Sequence, residues 1–267
     1  HKEQFSEVAL KIWEYAELGY QETKSSSLLA SELENEGFTI TKGVAGIPTA
    51  FIAEFGSNGP IIGILGEFDA LPGLAQTSSP FKQVASNDSG GGHACGHHLF
   101  GAASAWAAVS IKEWLVENNI KGTVRFYGTP AEEGGSGKVY MVREGLFDDV
   151  DVVLHWHPDD VNSANPKTSN SNKSAKFTFK GISAHAAGSP ELGRSALDGV
   201  EAMNMMVNMM REHIPQESRM HYVITKGGLA PNVVPDLAEV YYYVRHPEMK
   251  IVEELFQRVV MTAEGAA

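Results

Sequence analysis

Short apolar runs alternate with amphipathic segments through the first 160 residues, and this alternation restricts the fold more than any other feature. Strands that alternate with helices are typical of an α/β domain with a mainly parallel sheet flanked by helices. The runs at 61–65 and 150–154 are apolar enough to predict buried strands. The predicted strands are 50–55, 61–65, 123–127 and 150–154, and the predicted helices are two within 1–37, one at 99–118 and one at 136–144.

A polar segment at 161–174 predicts a linker, after which the pattern changes to β-α-β-β-α. This order predicts a small ferredoxin-like α+β domain inserted after the first, so the expected domains are 1–172 and 173–267. The sequence ends inside the last predicted helix, so we expect both domains to be incomplete and the chain to be truncated. The helix predicted at 196–213 carries five methionines, for which core or dimer packing is favoured over a recognition surface.

Composition excludes several classes of protein. The formal net charge is -12, and no basic face of the kind that binds phosphate backbones is visible, so we expect no nucleic acid partner. No apolar run approaches the length of a membrane span, which predicts no membrane partner. Cys95 is the only cysteine, so no internal disulfide can form, and a cytoplasmic location is expected.

The densest chemical signal is the segment GHACGHH, which ends at His98. Cys95 and His97 lie two residues apart at the start of a predicted helix, and thiolate and imidazole are strong ligands for zinc-like metals. Gly92 and Gly96 allow the unusual backbone dihedrals that would let both side chains converge. The alternative is a glycine-rich turn that contains histidines by chance.

Three further groups of metal-competent residues follow predicted strands. Adjacent carboxylates can divide their work, one binding metal and one taking a proton from water, although a solvated acidic loop has the same sequence. The histidines after the last strand could equally be ordinary side chains. Since ligands gather at the carboxyl ends of strands, the sequence predicts one shared metal site. The three groups are Glu67 with Asp69, Glu132 with Glu133, and His155 with His157.

With these motifs, the sequence resembles the dinuclear-metal peptidase and amidohydrolase family that includes carboxypeptidase G, aminoacylase and the auxin-conjugate hydrolases. The motifs GEFDALPGLAQ, GHACGHHLFGAAS and GGLAPNVVPDLAEVYYYVRHP are most similar to the subgroup that hydrolyses p-aminobenzoyl-glutamate. The resemblance covers essentially the whole chain. It implies a metal-dependent hydrolase that cleaves the amide bond of an N-acyl amino acid, with a dipeptidase or an aminoacylase as the alternative.

The resemblance also implies roles at the metal site, which would hold two divalent ions, zinc or manganese. Cys95 would bridge the ions, with His97, Glu133 and His157 as further ligands, His157 being preferred to His155. Glu132 would be the general base. Asp69 would orient a ligand, whereas Glu67 stands where some relatives have a histidine ligand, so a metal role for it is not expected. The last ligand of the family, a histidine, would lie beyond residue 267.

In the second domain the resemblance implies a lid that also forms a homodimer, and a second related subunit is a further expected partner. His185 would polarise the scissile carbonyl in the partner subunit's site. Asn232 and Arg245 would hold a substrate carboxylate, a task that suits the forked guanidinium group. Two other classes are weighed against this one: a cysteine hydrolase that uses Cys95, and a non-catalytic paralogue that binds a small amidated ligand.

Overall fold

The computed structural model describes residues 1–87, 89–164 and 168–267. It divides into two compact units, His1–Asn162 and Ser163–Ala267. This division lies inside the linker predicted at 161–174. The chain from Ser171 onward belongs to a strand of the second unit. The remainder of the predicted linker is irregular where it is described, and residues 165–167 lie outside the described residues.

The first unit is an α/β layer structure with one five-stranded sheet, in the order β1-β2-β6-β3-β7. Strands β6, β3 and β7 run parallel, β2 pairs antiparallel with β6, and β1 pairs antiparallel with β2. The predicted α/β class is therefore confirmed. Its helices are α1 (Lys2–Tyr15), α2 (Thr23–Asn35), α3 (His97–Glu117), the short turn α4 (Glu132–Gly135) and α5 (Gly137–Arg143); its strands are β1 (Thr39–Lys42), β2 (Phe51–Ser57), β3 (Ile61–Gly66), β4 (Leu71–Pro72), β5 (Gly91–Gly92), β6 (Gly122–Gly128) and β7 (Val152–Leu154).

The alternation of side chains along the strands supplies a core on each face of the sheet. On one face, α1, α2 and α3 pack against Phe51 and Phe126, whose rings lie 5.6 Å apart. On the other, Tyr127 and Met141 form a smaller cluster under α5. Apolar burial at this density is what holds the sheet, and with it the ends of its strands, in place.

The expectation that β7 is buried is wrong. Val152 and Leu154 are 49% and 52% exposed, respectively. The physical reason is position: β7 pairs with β3 on one side only, and no strand of the described residues lies along its other edge. An apolar run therefore predicted the strand correctly, while its burial depends on neighbours that periodicity does not reveal.

The polar loop at 74–92 carries the two short strands β4 and β5 at its ends, paired antiparallel through Leu71 and Gly92. This pairing fastens the chain just after Asp69 to the chain just before Cys95. A side chain at Gly92 could not be accommodated, because its Cβ would lie 2.0 Å from the carbonyl oxygen of Leu74. The loop thus brings two segments of the predicted site together.

The second unit has the predicted β-α-β-β-α order. Its antiparallel sheet has the strand order β8-β10-β9, and both long helices contact the sheet and each other. Alternate side chains of β10, such as Val240 and Tyr242, are fully buried in the core of this unit. The elements are β8 (Ser171–Lys180), α6 (Ala196–Met210), β9 (Arg219–Lys226), β10 (Leu237–His246) and α7 (Met249–Ala266), with single 3-10 turns at Pro190–Leu192 and Arg211–His213.

The methionines of α6 do not form one uniform stripe. Met203 and Met210 are buried in the core of the second unit, whereas Met205 and Met209 are 60% and 67% exposed. Core packing therefore accounts for only part of the set. In the part of the chain that is described, no helix has the length and apolarity that a membrane crossing requires.

Met203→Ala should lower the free energy of unfolding by about 2–5 kcal/mol, because it removes a buried side chain and leaves a cavity. Met261→Ala is the matched control: Met261 is 66% exposed on α7, and its loss should change the free energy by less than about 0.5 kcal/mol. Urea denaturation followed by circular dichroism measures both. Equal effects would contradict the assignment of Met203 to the core.

Candidate metal centre

Three neighbouring strands end at one edge of the sheet and deliver the candidate ligands there. Glu67 and Asp69 follow β3, the pair Glu132 and Glu133 follows β6, and His157 follows β7. Because β6, β3 and β7 are adjacent and parallel, their carboxyl ends lie side by side. This geometry brings the three groups to one edge of the sheet, which is the arrangement that the sequence predicted for them.

The start of α3 brings the remaining two ligands to the same edge. Gly96 precedes the helix in a left-handed conformation, with φ of 81°. A Cβ at this position would meet the Pro158 ring at 3.0 Å, so glycine is required both by the dihedral and by the close approach of the chain after β7. The turn leaves His97 fully buried at the first position of α3, with Cys95 just ahead of it.

Cys95, His97 and His157 form the first cluster, with one ligand atom from each within 4.8 Å of the others. The Cys95 Sγ lies 3.3 Å from the His157 Nε2. The His157 Nδ1 lies 2.9 Å from the Pro158 carbonyl oxygen and can donate to it, which leaves the Nε2 lone pair facing the thiol. His155 packs its ring near Phe100 instead and belongs to no cluster of the described residues.

Glu67, His97 and Glu132 form the second cluster, again within 4.8 Å, so the two clusters share His97. The His97 Nε2 and the Glu67 Oε2 lie 3.0 Å apart. Both atoms are buried, and among the described residues neither has a hydrogen-bond partner other than this close contact. They form an ion pair when His97 is protonated, and when His97 is neutral both atoms are free to face a cation.

Asp69 is fully buried and orients two of these groups at once. Its Oδ1 lies 3.0 Å from the His97 Nδ1, and its Oδ2 accepts a hydrogen bond of 2.8 Å from the Glu133 backbone N–H. With Nδ1 donating to the carboxylate, the imidazole presents its Nε2 lone pair to a metal. A thiol, two imidazoles and carboxylates around one space match the donor set of a zinc-like ion.

The carboxylates of the two clusters create a negative electrostatic environment that favours a bound cation. Burial raises the pKa of the Cys95 thiol to about 12, and the carboxylates of Glu133, Glu132 and Glu67 add to that rise. Burial would lower the pKa of His97, but the carboxylates of Asp69 and Glu67 beside it raise that pKa to about 10. Burial and the neighbouring carboxylates also raise the pKa of Glu132. A bound divalent ion would displace the protons from the thiol and the imidazole.

Lys138 is a member of the site that sequence reasoning missed. It lies near the start of α5 and its ammonium group forms an ion pair with the Glu67 carboxylate. Burial would raise the pKa of Glu67, but His97 and Lys138 together lower it. The position of Lys138, six residues after Glu132, was the one feature of the sequence that could have indicated a place in the site. A lysine on a short surface helix is ordinarily solvated, so this position alone predicts no role. Glu67, for which no metal role was expected, stands in the second cluster.

The three predicted lid residues lie in the second unit, outside both clusters. The His185 ring is exposed, and its Nδ1 accepts a 2.9 Å hydrogen bond from the Gly188 backbone N–H. Asn232 is exposed in the turn before β10. Arg245 stacks its guanidinium group 5.2 Å from the Tyr243 ring, and its buried Nε has no hydrogen-bond partner among the described residues.

Comparison with known proteins identifies the family of the chain. The family model described as peptidase family M20/M25/M40 matches residues 63–264, which include every candidate ligand. The chain belongs to this family. Over all of its 267 residues it is 48% identical to one of the subunits of p-aminobenzoyl-glutamate hydrolase from Escherichia coli, and it is 31% identical over 278 aligned residues to the Xaa-Arg dipeptidase of Mus musculus.

The chain spans 56% of the length of the Escherichia coli relative and 60% of that of the mouse relative. Two solved structures share its fold. An aminobenzoyl-glutamate utilization protein from Klebsiella pneumoniae aligns with a TM-score of 0.67 at 19% identity, covering 98% of this chain and 71% of that one. A dinuclear metal binding M20 peptidase from Bacillus subtilis aligns with a TM-score of 0.62 at 24% identity, covering 99% and 70%.

Metal binding to the full-length protein at pH 7 should release about two protons, one from Cys95 and one from His97, because both pKa values lie well above 7 without metal. Affinity should therefore rise with pH between about 6 and 8. Titration calorimetry in buffers of different ionisation enthalpy counts the protons, and Cys95→Ala should release about one fewer. Metal binding without proton release would contradict the assigned ligands.

Proposed function

We propose that the full-length protein is a metal-dependent amidohydrolase that cleaves the amide bond of an N-acyl amino acid. The observation that carries the proposal is the pair of ligand clusters joined at His97. The His97 Nε2 can bind one ion only, but the Cys95 thiolate and the carboxylates of the second cluster can each bind more than one, so the joined clusters offer enough donors for a dinuclear hydrolytic site. The p-aminobenzoyl-glutamate hydrolase and dipeptidase names of the relatives support the same reaction class.

Two divalent ions, zinc or manganese, would be held by Cys95, His97, Glu133 and His157 together with a ligand from outside this chain. When bound, they would polarise the amide carbonyl and acidify the attacking water. The contact of Glu67 with His97 makes Glu67 a further candidate ligand. Imidazole, thiolate and carboxylate donors are compatible with either metal, so supply in the cell would decide between them.

Glu132 would act as the general base. Burial and the neighbouring carboxylates raise its pKa, which makes the carboxylate a stronger acceptor for a proton from water that it would later return to the leaving amine. Its neighbour Glu133 touches the Cys95 thiol and is held by Asp69 through the backbone. Glu133 is thus held near the Cys95 thiol, whereas Glu132 belongs to the second cluster and is exposed to solvent.

The proposed substrate is an aromatic acyl group joined to glutamate. Its carboxylate would be bound by Arg245 together with Asn232 of the partner subunit, because Asn232 and Arg245 of one chain lie at opposite ends of β10. The unpartnered Nε of Arg245 supports its role because a buried guanidinium N–H otherwise lacks an acceptor among the described residues. His185 would donate a hydrogen bond to the developing oxyanion. The names of the relatives p-aminobenzoyl-glutamate hydrolase and indole-3-acetyl-aspartic acid hydrolase share this aromatic-acidic pattern.

We propose that residues 1–172 form the catalytic part and residues 173–267 a lid that dimerises in the cytoplasm. The exposed Met205 and Met209 on α6, and the exposed Ile224 on β9, offer an apolar surface for a second copy. Because the Escherichia coli relative is named as one subunit of its hydrolase, a second related subunit is a further candidate partner.

Glu132→Ala in the full-length protein should lower kcat on p-aminobenzoyl-glutamate by roughly 10²–10⁴-fold with little change in metal content, because it removes the base and leaves the four proposed ligands, Cys95, His97, Glu133 and His157, in place. Glu144→Ala is the control, since Glu144 is exposed at the end of α5. Release of p-aminobenzoate measures turnover, with an Xaa-Arg dipeptide assayed in parallel. Turnover within about tenfold of wild type would refute the role of Glu132.

A mixing experiment tests whether His185 acts from the lid of a partner subunit. Glu132→Ala and His185→Ala homodimers should each be nearly inactive. After the two are unfolded and refolded together, about one quarter of wild-type activity should return, because half of the dimers are mixed and each holds one intact site. No recovery in mixed dimers confirmed by light scattering would contradict action in trans.

A further inference from the structure

Glu22 carries a buried carboxylate that none of the roles above uses. It is fully buried in the turn between α1 and α2. No lysine, arginine or histidine of the described residues lies within ion-pair distance of it. Burying a carboxylate without a cation is costly, and burial accordingly raises its pKa. An apolar side chain would fill the same space at a lower cost in free energy. The polar contacts of the Glu22 carboxylate must therefore explain why a glutamate stands here.

Those contacts lead directly to the acidic pair of the metal centre. The Glu22 Oε1 accepts a 2.8 Å hydrogen bond from the Ala131 backbone N–H, one residue before Glu132. The Oε2 accepts a 3.0 Å hydrogen bond from the Thr49 hydroxyl. Glu22 therefore joins the β6–α4 turn to the chain before β2 through its side chain alone.

Ala131 needs such a partner because its backbone is strained. It is fully buried and adopts a left-handed conformation, with φ of 54° and ψ of 45°. A non-glycine residue occupies this region only when its surroundings impose it, and such strain clusters at functional sites. Gly19 packs against it on the same side, since a Cβ there would lie 3.1 Å from Ala131.

Two further hydrogen bonds hold the same turn, one at Glu133 and one at Gly135, which follows the acidic pair. The Asp69 Oδ2 accepts from the Glu133 N–H, and the Tyr20 hydroxyl donates to the Gly135 carbonyl oxygen at 2.6 Å. Of these contacts, the one from Glu22 holds the residue that directly precedes Glu132. The Glu132 side chain itself has no hydrogen bond that would fix it within the described residues.

We propose that Glu22 is a positioning residue: by binding the Ala131 N–H it imposes the left-handed turn that aims the Glu132 and Glu133 carboxylates at the metal cluster. The inference rests on the proposed function for its kinetic consequence, because displacement of a reacting group by about 1 Å costs roughly 10²-fold in rate. Its geometric consequence, a displaced Glu133 ligand, holds whatever the substrate.

The test uses full-length protein carrying Co²⁺, whose d–d absorption reports ligand geometry, together with steady-state kinetics on p-aminobenzoyl-glutamate. Glu22→Ala should shift the d–d bands and lower kcat by about 100-fold, with KM within about threefold, because the base is misdirected while substrate contacts persist. Glu22→Gln keeps an oxygen for the Ala131 N–H and should restore kcat to within about tenfold of wild type.

Glu17→Ala is the matched control. Glu17 lies in the same segment and accepts hydrogen bonds from the Lys24 and Ser25 backbone N–H groups at the start of α2, but among the described contacts it has none to the 131–135 turn. This variant should lower Tm while kcat and the Co²⁺ spectrum stay at wild-type values. If Glu22→Ala does not fold, Glu22→Asp keeps the charge and shortens the reach, and it should reproduce the loss of kcat.

Wild-type kcat and spectrum in Glu22→Ala or Glu22→Asp would overturn the inference, as would a loss of kcat that Glu17→Ala equals or that Glu22→Gln does not restore. Failure of the proposed function is distinguishable from this. If wild-type protein hydrolyses no amide, the Co²⁺ spectrum alone decides: a shift in Glu22→Ala that Glu22→Gln reverses supports the positioning role, and an unchanged spectrum refutes it.

Discussion

The buried imidazole of His97 is the element on which the metal centre depends. It belongs to both ligand clusters, and its second nitrogen is held by the Asp69 carboxylate at 3.0 Å. A histidine so placed has little rotational freedom, so it fixes where a cation can lie relative to Cys95, His157 and Glu67. The His97 ring comes from the first residue of α3, and its carboxylate partner Asp69 comes from the segment that follows β3.

Charge gives the site its chemical character. Several carboxylates, a thiol and an imidazole occupy a space where the only neighbouring ammonium group of the described residues is Lys138. Without a cation the thiol and the imidazole stay protonated, as the raised pKa values of Cys95 and His97 indicate. The protein therefore holds a cluster whose protons and metal exchange for one another, which couples occupancy to pH.

Two buried carboxylates, those of Asp69 and Glu22, bind the backbone of the turn that carries the acidic pair. Asp69 binds the Glu133 N–H and Glu22 binds the Ala131 N–H, so Glu132 lies between two anchored amides. Hydrogen bonds to backbone groups constrain a turn more tightly than packing alone, because they fix orientation as well as distance. This arrangement explains how a turn with a left-handed alanine persists beside the acidic pair.

Sequence alone was sufficient for the α/β class, the long helices, most of the long strands, and the neighbourhood of Cys95, His97 and the acidic pair, because period and residue chemistry are local properties. It missed the short strands β1, β4 and β5. Tertiary structure alone decided which groups meet. It exposed β7, placed Glu67 in the second cluster, paired Lys138 with it and turned the buried Glu22 toward Ala131. These depend on contacts between residues up to 109 positions apart, and no local pattern encodes the distance between them.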